Sequence, residues 1–229
     1  MVIGGFQRFS LADFPGKISA IVFTRGCNFR CPYCHNPELV DPARYMPEIP
    51  QEEILRFLGS RRGQLQGVVV TGGEPTLHDD LPLFFARIRA LGFAVKLDTN
   101  GSHPDALQGL IRDSLIDYVA MDIKAPLDAY PRIARAPVRA EDIERSVRVI
   151  IGSGLPHEFR TTYEGSLLST QDMEAIAEIV RGCAQYVLQS FHPSGALDPA
   201  MRSLAQPDRA SLQAIRKLME TGGLPVLLR

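Results

Sequence analysis

Short apolar segments alternate with amphipathic segments along the chain, and this alternation limits the folds that the chain can adopt. The apolar segments are rich in β-branched residues, as at 18–24 and 67–71, and each of them predicts a buried strand. The segments between them carry apolar residues at helical spacing, as at 79–91, where Gly92 then ends the helix. Repeated strand–helix units favour a parallel sheet that is covered by helices.

Six strand–helix units are predicted in the 229 residues, without a break in composition between them. The predicted strands lie at 18–24, 67–71, 93–98, 116–122, 158–162 and 186–190, and a last strand or tail lies at 224–228. Six units are too few for a complete eight-fold barrel. We therefore expect an α/β fold, a partial (β/α)6 TIM-like barrel with a parallel sheet, that forms a single domain over residues 1–229.

The overall composition excludes two classes of partner. The formal net charge is −1, so no basic field draws the chain to nucleic acid or to an anionic membrane. The longest apolar runs are too short to cross a bilayer, and the first five residues lack the features of a signal peptide. We expect a soluble cytoplasmic protein that binds neither nucleic acid nor a membrane.

Three of the four cysteines lie close together in a loop directly after the first predicted strand. Cys27, Cys31 and Cys34 fall within eight residues, whereas Cys183 stands alone near a predicted helix and is expected to be buried or inert. A secreted disulfide protein would spread an even set of cysteines along the chain, so this cluster indicates soft-metal ligation. Three thiolates at this spacing can hold a 4Fe-4S cluster and leave one iron open to a substrate.

A zinc site with His35 as the fourth ligand is the alternative at this loop. Three cysteines and one histidine are a normal zinc set. However, His35 directly follows Cys34, and neighbouring side chains in an extended loop diverge. Structural zinc sites also tend to draw their ligands from two separated pairs, so the iron–sulfur cluster is favoured.

The other polar motifs fall on the later predicted strands, mostly at their carboxyl ends, where chemistry gathers in parallel strand–helix folds. Gly72 and Gly73 precede Glu74, and paired glycines let the backbone approach a ligand closely. Glu74 could also cap the next helix. Asp98 and Asp122 end apolar strands, where a carboxylate is costly without a partner, and a buried Asp–Lys ion pair would provide one.

The cysteine loop carries the most specific resemblance of the chain. Its Cys-x3-Cys-x2-Cys spacing, with the aromatic Tyr33 before the last cysteine, resembles the signature of the radical S-adenosylmethionine (SAM) superfamily. The longer stretch, with Asp-Phe-Pro-Gly-Lys at residues 13–17 and Cys-His-Asn-Pro-Glu at residues 34–38, is similar to the activating proteins of anaerobic ribonucleotide reductases. It is also similar to the pyruvate formate-lyase activating enzymes, and the resemblance runs over nearly the whole chain.

This resemblance implies a radical SAM core and a set of cofactor-binding residues. Cys27, Cys31 and Cys34 would hold the 4Fe-4S cluster, and Asp98 and Asp122 would bind a monovalent cation. The residues expected to contact SAM are Tyr33 near its adenine, Gly72, Gly73 and Glu74 at its amino group, and Asp98, Lys124 and His192. Arg160, on the fifth predicted strand, could clamp the SAM carboxylate or form a structural ion pair, and both interpretations stay open.

The resemblance also implies an activity, which would require anaerobic conditions. It predicts a radical SAM oxidoreductase that cleaves SAM and generates a glycyl radical on a partner enzyme, with anaerobic ribonucleoside-triphosphate reductase as the first candidate. Only Cys183 remains outside the cysteine loop, so the chain cannot hold a second cysteine-ligated cluster, and flavodoxin or ferredoxin would supply the electron. The alternatives are a radical SAM enzyme that acts on a small molecule, like the 7-carboxy-7-deazaguanine synthases, and a non-catalytic zinc-binding module.

Overall fold

The computed structural model describes residues 1–229, in which strands and helices alternate after an initial pair of strands. The strands are β1 (Ile3–Ser10), β2 (Ser19–Thr24), β3 (Gly67–Gly72), β4 (Ala94–Thr99), β5 (Tyr118–Asp122), β6 (His157–Tyr163), β7 (Tyr186–Ser190) and β8 (Val226–Leu228). The helices are α1 (Pro37–Val40), α2 (Gln51–Ser60), α3 (Leu81–Ala90), α4 (Pro104–Arg112), α5 (Tyr130–Ala134), α6 (Ala140–Gly152), α7 (Thr170–Ile179) and α8 (Arg209–Thr221). None of these helices combines the length and the apolar character needed to cross a membrane.

The residues group into two compact units. The first unit contains Met1–Asn28, Glu38–Thr99 and Asp105–Val119, and the second contains Phe29–Pro37, Asn100–Pro104 and Ala120–Arg229. The chain passes between the units five times, first inside the cysteine loop and last within β5. The single domain over residues 1–229 stays a prediction.

The first unit is built on parallel strands with helices between them. β2 pairs with β3 and β3 pairs with β4, all in parallel, with Val69 opposite Ile21 on one side and Lys96 on the other. One apolar cluster on this sheet consists of Phe14, Ile21 and Val69. The apolar stripes of α2 and α3 are buried, as their helical spacing predicts.

Strand β1 is an element that the sequence pattern did not reveal. It pairs with β2 in antiparallel orientation, and its register shifts between Ile3 and Gly5 and again between Gln7 and Ser10. The segment contains two glycines, and its residues 7–9 are exposed, so no alternation of apolar and polar residues marks it as a strand. The strand predicted to be the first is therefore the second.

The second unit carries parallel strands at its carboxyl-terminal end. β6 pairs with β7 and β7 pairs with β8, both in parallel. Helix α7 begins with a capping box in which Ser169 and Asp172 satisfy each other's backbone amides. The last predicted segment forms β8. Parallel strands with intervening helices thus occur in both units, and the predicted α/β class is confirmed.

Candidate functional site

The glycine loop after β3 lies directly against the start of the cysteine loop. The Gly73 amide donates to the carbonyl of Thr24 at 2.9 Å, and the Glu74 amide donates to the carbonyl of Gly26 at 2.8 Å. A Cβ atom on Gly73 would stand 1.9 Å from the Gly26 oxygen, and one on Gly72 would stand 2.4 Å from the backbone of Thr24. Only glycine permits this approach, which fixes the backbone immediately before Cys27.

Glu74 is a buried carboxylate with an ordered environment. It is 0% exposed. Its Oε1 accepts from the amide of Thr76 at 3.1 Å, from the hydroxyl of Thr76 at 2.5 Å and from the hydroxyl of Thr99 at 2.7 Å. The bond to the Thr76 amide caps a short 3-10 turn, so the capping role weighed from the sequence is present. Thr99 was not singled out from the sequence, although its place at the end of β4 is the signal that could have found it.

Asp98 lies on β4 beside a buried lysine. The Nζ atom of Lys96 stands 3.1 Å from Oδ1 of Asp98, and the Lys96 side chain is 1% exposed. Lys96 also donates to the carbonyl of Asp13 at 2.6 Å. The buried Asp–Lys pair that was one of the two interpretations of Asp98 therefore exists within the first unit.

In the second unit, the loop with Cys31 and Cys34 is held by backbone hydrogen bonds. The Cys34 amide donates to the Cys31 carbonyl at 3.0 Å, and the Leu197 amide donates to the Cys34 carbonyl at 2.9 Å. None of the four cysteines forms a disulfide. Burial raises the pKa of the Cys31 thiol to about 11, even though the charge of Lys124 acts to lower it. The Cys31 thiol must therefore lose its proton when it ligates a metal.

Tyr33 provides an observation that tests whether a ligand fits this loop. The residue is 4% exposed, and its buried hydroxyl has no hydrogen-bond partner within the chain. A buried hydroxyl without a partner is costly, which a bound ligand with a polar group would relieve. The ammonium of Lys124 lies 5.8 Å from the centre of the Tyr33 ring, so a cation flanks the same position. These residues fit a small ligand that has both a flat ring and polar groups.

Asp122 joins two cations at the end of β5. Its Oδ2 lies 3.0 Å from Nζ of Lys124, and its Oδ1 lies 2.8 Å from Nε of Arg160. Burial acts to raise the pKa of Asp122, but the charges of Arg160 and Lys124 outweigh it and hold that pKa well below its usual range. Burial likewise acts to lower the pKa of Lys124, and the Asp122 carboxylate outweighs it and raises that pKa well above its usual value. The structural ion pairs weighed for Asp122 and Arg160 are thus both present.

Two histidines meet near the end of β7. The ring of His35 stacks on Phe191, and its Nε2 donates to the carbonyl of His192 at 2.6 Å. This bond commits Nε2 of His35, one of the two ring nitrogens through which the zinc alternative could ligate the metal. No group of three His, Cys, Asp or Glu side chains surrounds a single-ion site anywhere in residues 1–229. His192 is exposed, and its predicted contact with SAM stays a prediction.

Comparison with known proteins identifies relatives that match nearly the whole chain. A protein of Methanocaldococcus jannaschii, named as a candidate glycyl-radical enzyme activating enzyme, is 34% identical over 222 residues, which cover 95% of this chain and 91% of that protein. The pyruvate formate-lyase-activating enzyme of Clostridium pasteurianum is 25% identical over 238 residues, which cover 96% of this chain and 98% of that enzyme.

The fold also matches solved structures. The Streptococcus suis protein SuiB, crystallised with its precursor peptide SuiA, aligns with a TM-score of 0.71 at 14% identity. The alignment covers 91% of this chain, which spans about half of SuiB, 48% of its length. The profile of the radical SAM superfamily matches residues 21–182, a range that contains all three clustered cysteines, the glycine loop and Arg160. The chain therefore belongs to the radical SAM superfamily.

Proposed function

We propose that the chain is an activase that uses SAM to generate a glycyl radical on a partner enzyme. Cys27, Cys31 and Cys34 would hold a 4Fe-4S cluster, and SAM would bind beside it. With one electron from an outside donor, the bound cluster would supply the reductive cleavage of SAM to methionine and a 5′-deoxyadenosyl group, which would take one hydrogen atom from the Cα of a glycine in the partner. The products are 5′-deoxyadenosine and a stored glycyl radical.

The similarity to named activating enzymes is the observation that carries this proposal. Two such relatives match at least 95% of this chain and at least 91% of their own lengths. A match of this extent includes the loops as well as the strands. The first candidate for the partner is anaerobic ribonucleoside-triphosphate reductase, because of the longer sequence similarity around the cysteine loop.

The chain's own residues would bind and orient SAM. In the first unit, the Gly73 backbone and the buried Glu74 carboxylate would receive its amino group, since a carboxylate already fixed by two threonines loses little entropy on binding. In the second unit, Lys124 would face its carboxylate, and the Tyr33 ring with its unpaired hydroxyl would meet its adenine. A monovalent cation at Asp98 and Asp122 stays a prediction. Each of these carboxylates already pairs with a cationic side chain in its own unit.

The test is anaerobic reconstitution with iron and sulfide, followed by incubation with SAM, reduced flavodoxin or ferredoxin, and candidate glycyl radical proteins. The expected result is a glycyl-radical EPR signal in one partner together with 5′-deoxyadenosine. Cys31→Ala is expected to lose both bound iron and SAM cleavage. Cys183→Ala, which lies outside the cysteine loop, is the matched control and should retain both.

Three outcomes would contradict the proposal. Zinc without iron or sulfide in the purified protein would replace the cluster with a structural zinc site. SAM cleavage that couples to a small molecule and to no glycyl radical protein would favour an enzyme like the 7-carboxy-7-deazaguanine synthases. Unchanged iron content in Cys31→Ala would refute the ligand assignment itself.

A further inference from the structure

A row of five charged side chains with alternating sign crosses the second unit. It begins with the pairs of Asp122 with Lys124 and with Arg160 described above. On its other side, Nη1 of Arg160 stands 3.9 Å from Oε1 of Glu158. The guanidinium of Arg229 donates to both carboxylate oxygens of Glu158, each at 3.3 Å. Glu158 and Arg229 were not identified from the sequence, and neither belongs to the predicted SAM site.

The backbone fixes where the outer members of this row stand. Glu158 and Arg160 are two residues apart on β6 and therefore project from the same face of the strand. Arg229 directly follows β8, where its amide donates to the carbonyl of Leu188 at 3.0 Å and its own carbonyl accepts from the amide of Ser190 at 2.9 Å. These hydrogen bonds to β7 thus fix the backbone of Arg229. Its side chain extends from this fixed position to Glu158.

Burial makes Glu158 the member on which the row depends. Its side chain is 1% exposed, whereas that of Arg229 is 37% exposed. A buried carboxylate is tolerated when cations and hydrogen bonds surround it, and here two arginines flank it. Without the Glu158 charge, the guanidinium of Arg160 would lose one of its anionic partners, and its alignment on Asp122 would relax.

The charge of the row matches one anionic group of a ligand. Its three cations and two carboxylates leave one positive charge in excess, and Lys124 ends the row above the Tyr33 ring. A partly buried excess charge favours a ligand that brings a carboxylate. The orientation of Lys124 depends on Asp122, and that of Asp122 depends on Arg160.

We infer that Glu158 and Arg229 are positioning residues that act through Arg160 and Asp122 to set Lys124 for the carboxylate of SAM. The inference rests on the proposed function, because it takes Lys124 as a SAM-binding residue. The partners that orient a ligand-binding group typically change affinity by about tenfold or more when they are removed. The effect should therefore fall on SAM binding and leave the cleavage step nearly unchanged.

The test compares Glu158→Gln with Glu178→Gln in the reconstituted enzyme. Glu178 forms an exposed pair with Arg181 on the same unit, so it is a matched carboxylate–arginine control. For Glu158→Gln, we expect the KM for SAM in 5′-deoxyadenosine formation to rise about tenfold, with kcat within about twofold. Arg229→Gln should act in the same direction, Arg229→Lys should restore part of the affinity, and Glu178→Gln should match the parent protein.

A second measurement needs neither the cluster nor SAM. In metal-free protein labelled with 15N-arginine, the Nε–H of Arg160 should exchange slowly because it donates to Asp122, and Glu158→Gln should speed this exchange. This readout also covers a variant that fails to assemble its cluster.

The two proposals fail in different ways. If Lys124→Ala and Arg160→Gln leave the KM for SAM unchanged, then the proposed SAM site is wrong. If those two variants raise the KM but Glu158→Gln changes neither the KM nor the exchange of Arg160, then Glu158 is structural only and the inference is overturned. A fall in kcat with an unchanged KM in Glu158→Gln would also overturn it.

Discussion

Gly73 lies so close to Gly26 that a Cβ atom on Gly73 would stand 1.9 Å from the carbonyl oxygen of Gly26. Gly73→Ala therefore forces apart the glycine loop and the residue that precedes Cys27. Because the neighbour is backbone, the clash cannot be relieved by a side-chain rotation. We expect a loss of about 3 kcal/mol in the free energy of unfolding and a lower iron content after reconstitution.

Gly109→Ala is the control for this effect. Gly109 lies within α4, and nothing stands within 4 Å of a Cβ placed there. Alanine is the better helix former, so this variant should gain about 0.5–1 kcal/mol. Urea unfolding measures both free energies, and iron analysis measures the cluster. Equal iron content in Gly73→Ala and Gly109→Ala would show that the close approach does not support the cysteine loop.

A second prediction concerns the hydroxyl of Thr99, which donates to the buried carboxylate of Glu74 at 2.7 Å. Thr99→Val keeps the shape of the side chain and removes the donor, so one bond to a buried charge is lost. A hydrogen bond to a charged group contributes about 1.5–3 kcal/mol, and the free energy of unfolding should fall by that amount. Thr99→Ser keeps the hydroxyl and should recover most of it. A small loss in Thr99→Val together with a larger loss in Thr99→Ser would mean that packing of the methyl group, and not the hydrogen bond, is what matters at this position.

Local pattern was enough to predict most of the fold, because the spacing of apolar residues reports directly on helices and strands. The apolar segments that became β2, β3 and β7 and the amphipathic segments that became α2 and α3 were found this way. Strand β1 was not predicted, because its residues do not alternate between apolar and polar. Only its pairing with β2 identifies it as a strand.

The candidate site was only partly predictable from the sequence. The cysteine spacing and the costly carboxylates Asp98 and Asp122 are local signals, and the structure places a cationic partner beside each carboxylate. The pair of Glu158 with Arg229 joins residues 71 positions apart, and the bond of His35 to His192 joins residues 157 positions apart. Contacts at such separations depend on the strand order and register, which single residues do not encode.

The depressed pKa of Asp122 predicts a specific dependence of stability on pH. A carboxyl group whose pKa is lower in the folded chain than in the unfolded chain contributes stability above its unfolded pKa of about 4, and this contribution fades as the pH falls further. Asp122→Asn in metal-free protein should therefore lower the free energy of unfolding by about 2 kcal/mol at neutral pH. This loss is smaller than for a fully buried ion pair, because the Asp122 side chain is 27% exposed. The cost should shrink progressively below about pH 4.

The exposed pair of Asp113 with Arg112 is the matched control for Asp122. Both of its side chains are in solvent, so Asp113→Asn should change the urea midpoint little at any pH. Urea titrations at several pH values between neutral and strongly acidic conditions make the comparison. If the difference in the free energy of unfolding between the parent protein and Asp122→Asn stays constant over that pH range, then the charge of Asp122 does not stabilise the fold.

The last prediction concerns the reactivity of Cys183. The residue is 7% exposed, and burial raises the pKa of its thiol to about 11, against the opposing effect of nearby backbone amides. At pH 8 only about one thiol in a thousand would then be a thiolate, which is the form that reacts with iodoacetamide.

In a variant with Ala at positions 27, 31 and 34, alkylation of Cys183 at pH 8 should be at least about a hundredfold slower in the folded chain than in urea, as followed by mass spectrometry. The rate in the folded chain should rise about tenfold for each pH unit below 11, because the thiolate fraction does. Rapid alkylation of the folded chain at pH 8 would mean an accessible thiolate at Cys183. Such a thiolate could ligate metal, and the assignment of the cluster to the other three cysteines would then need Cys183→Ala as its decisive control.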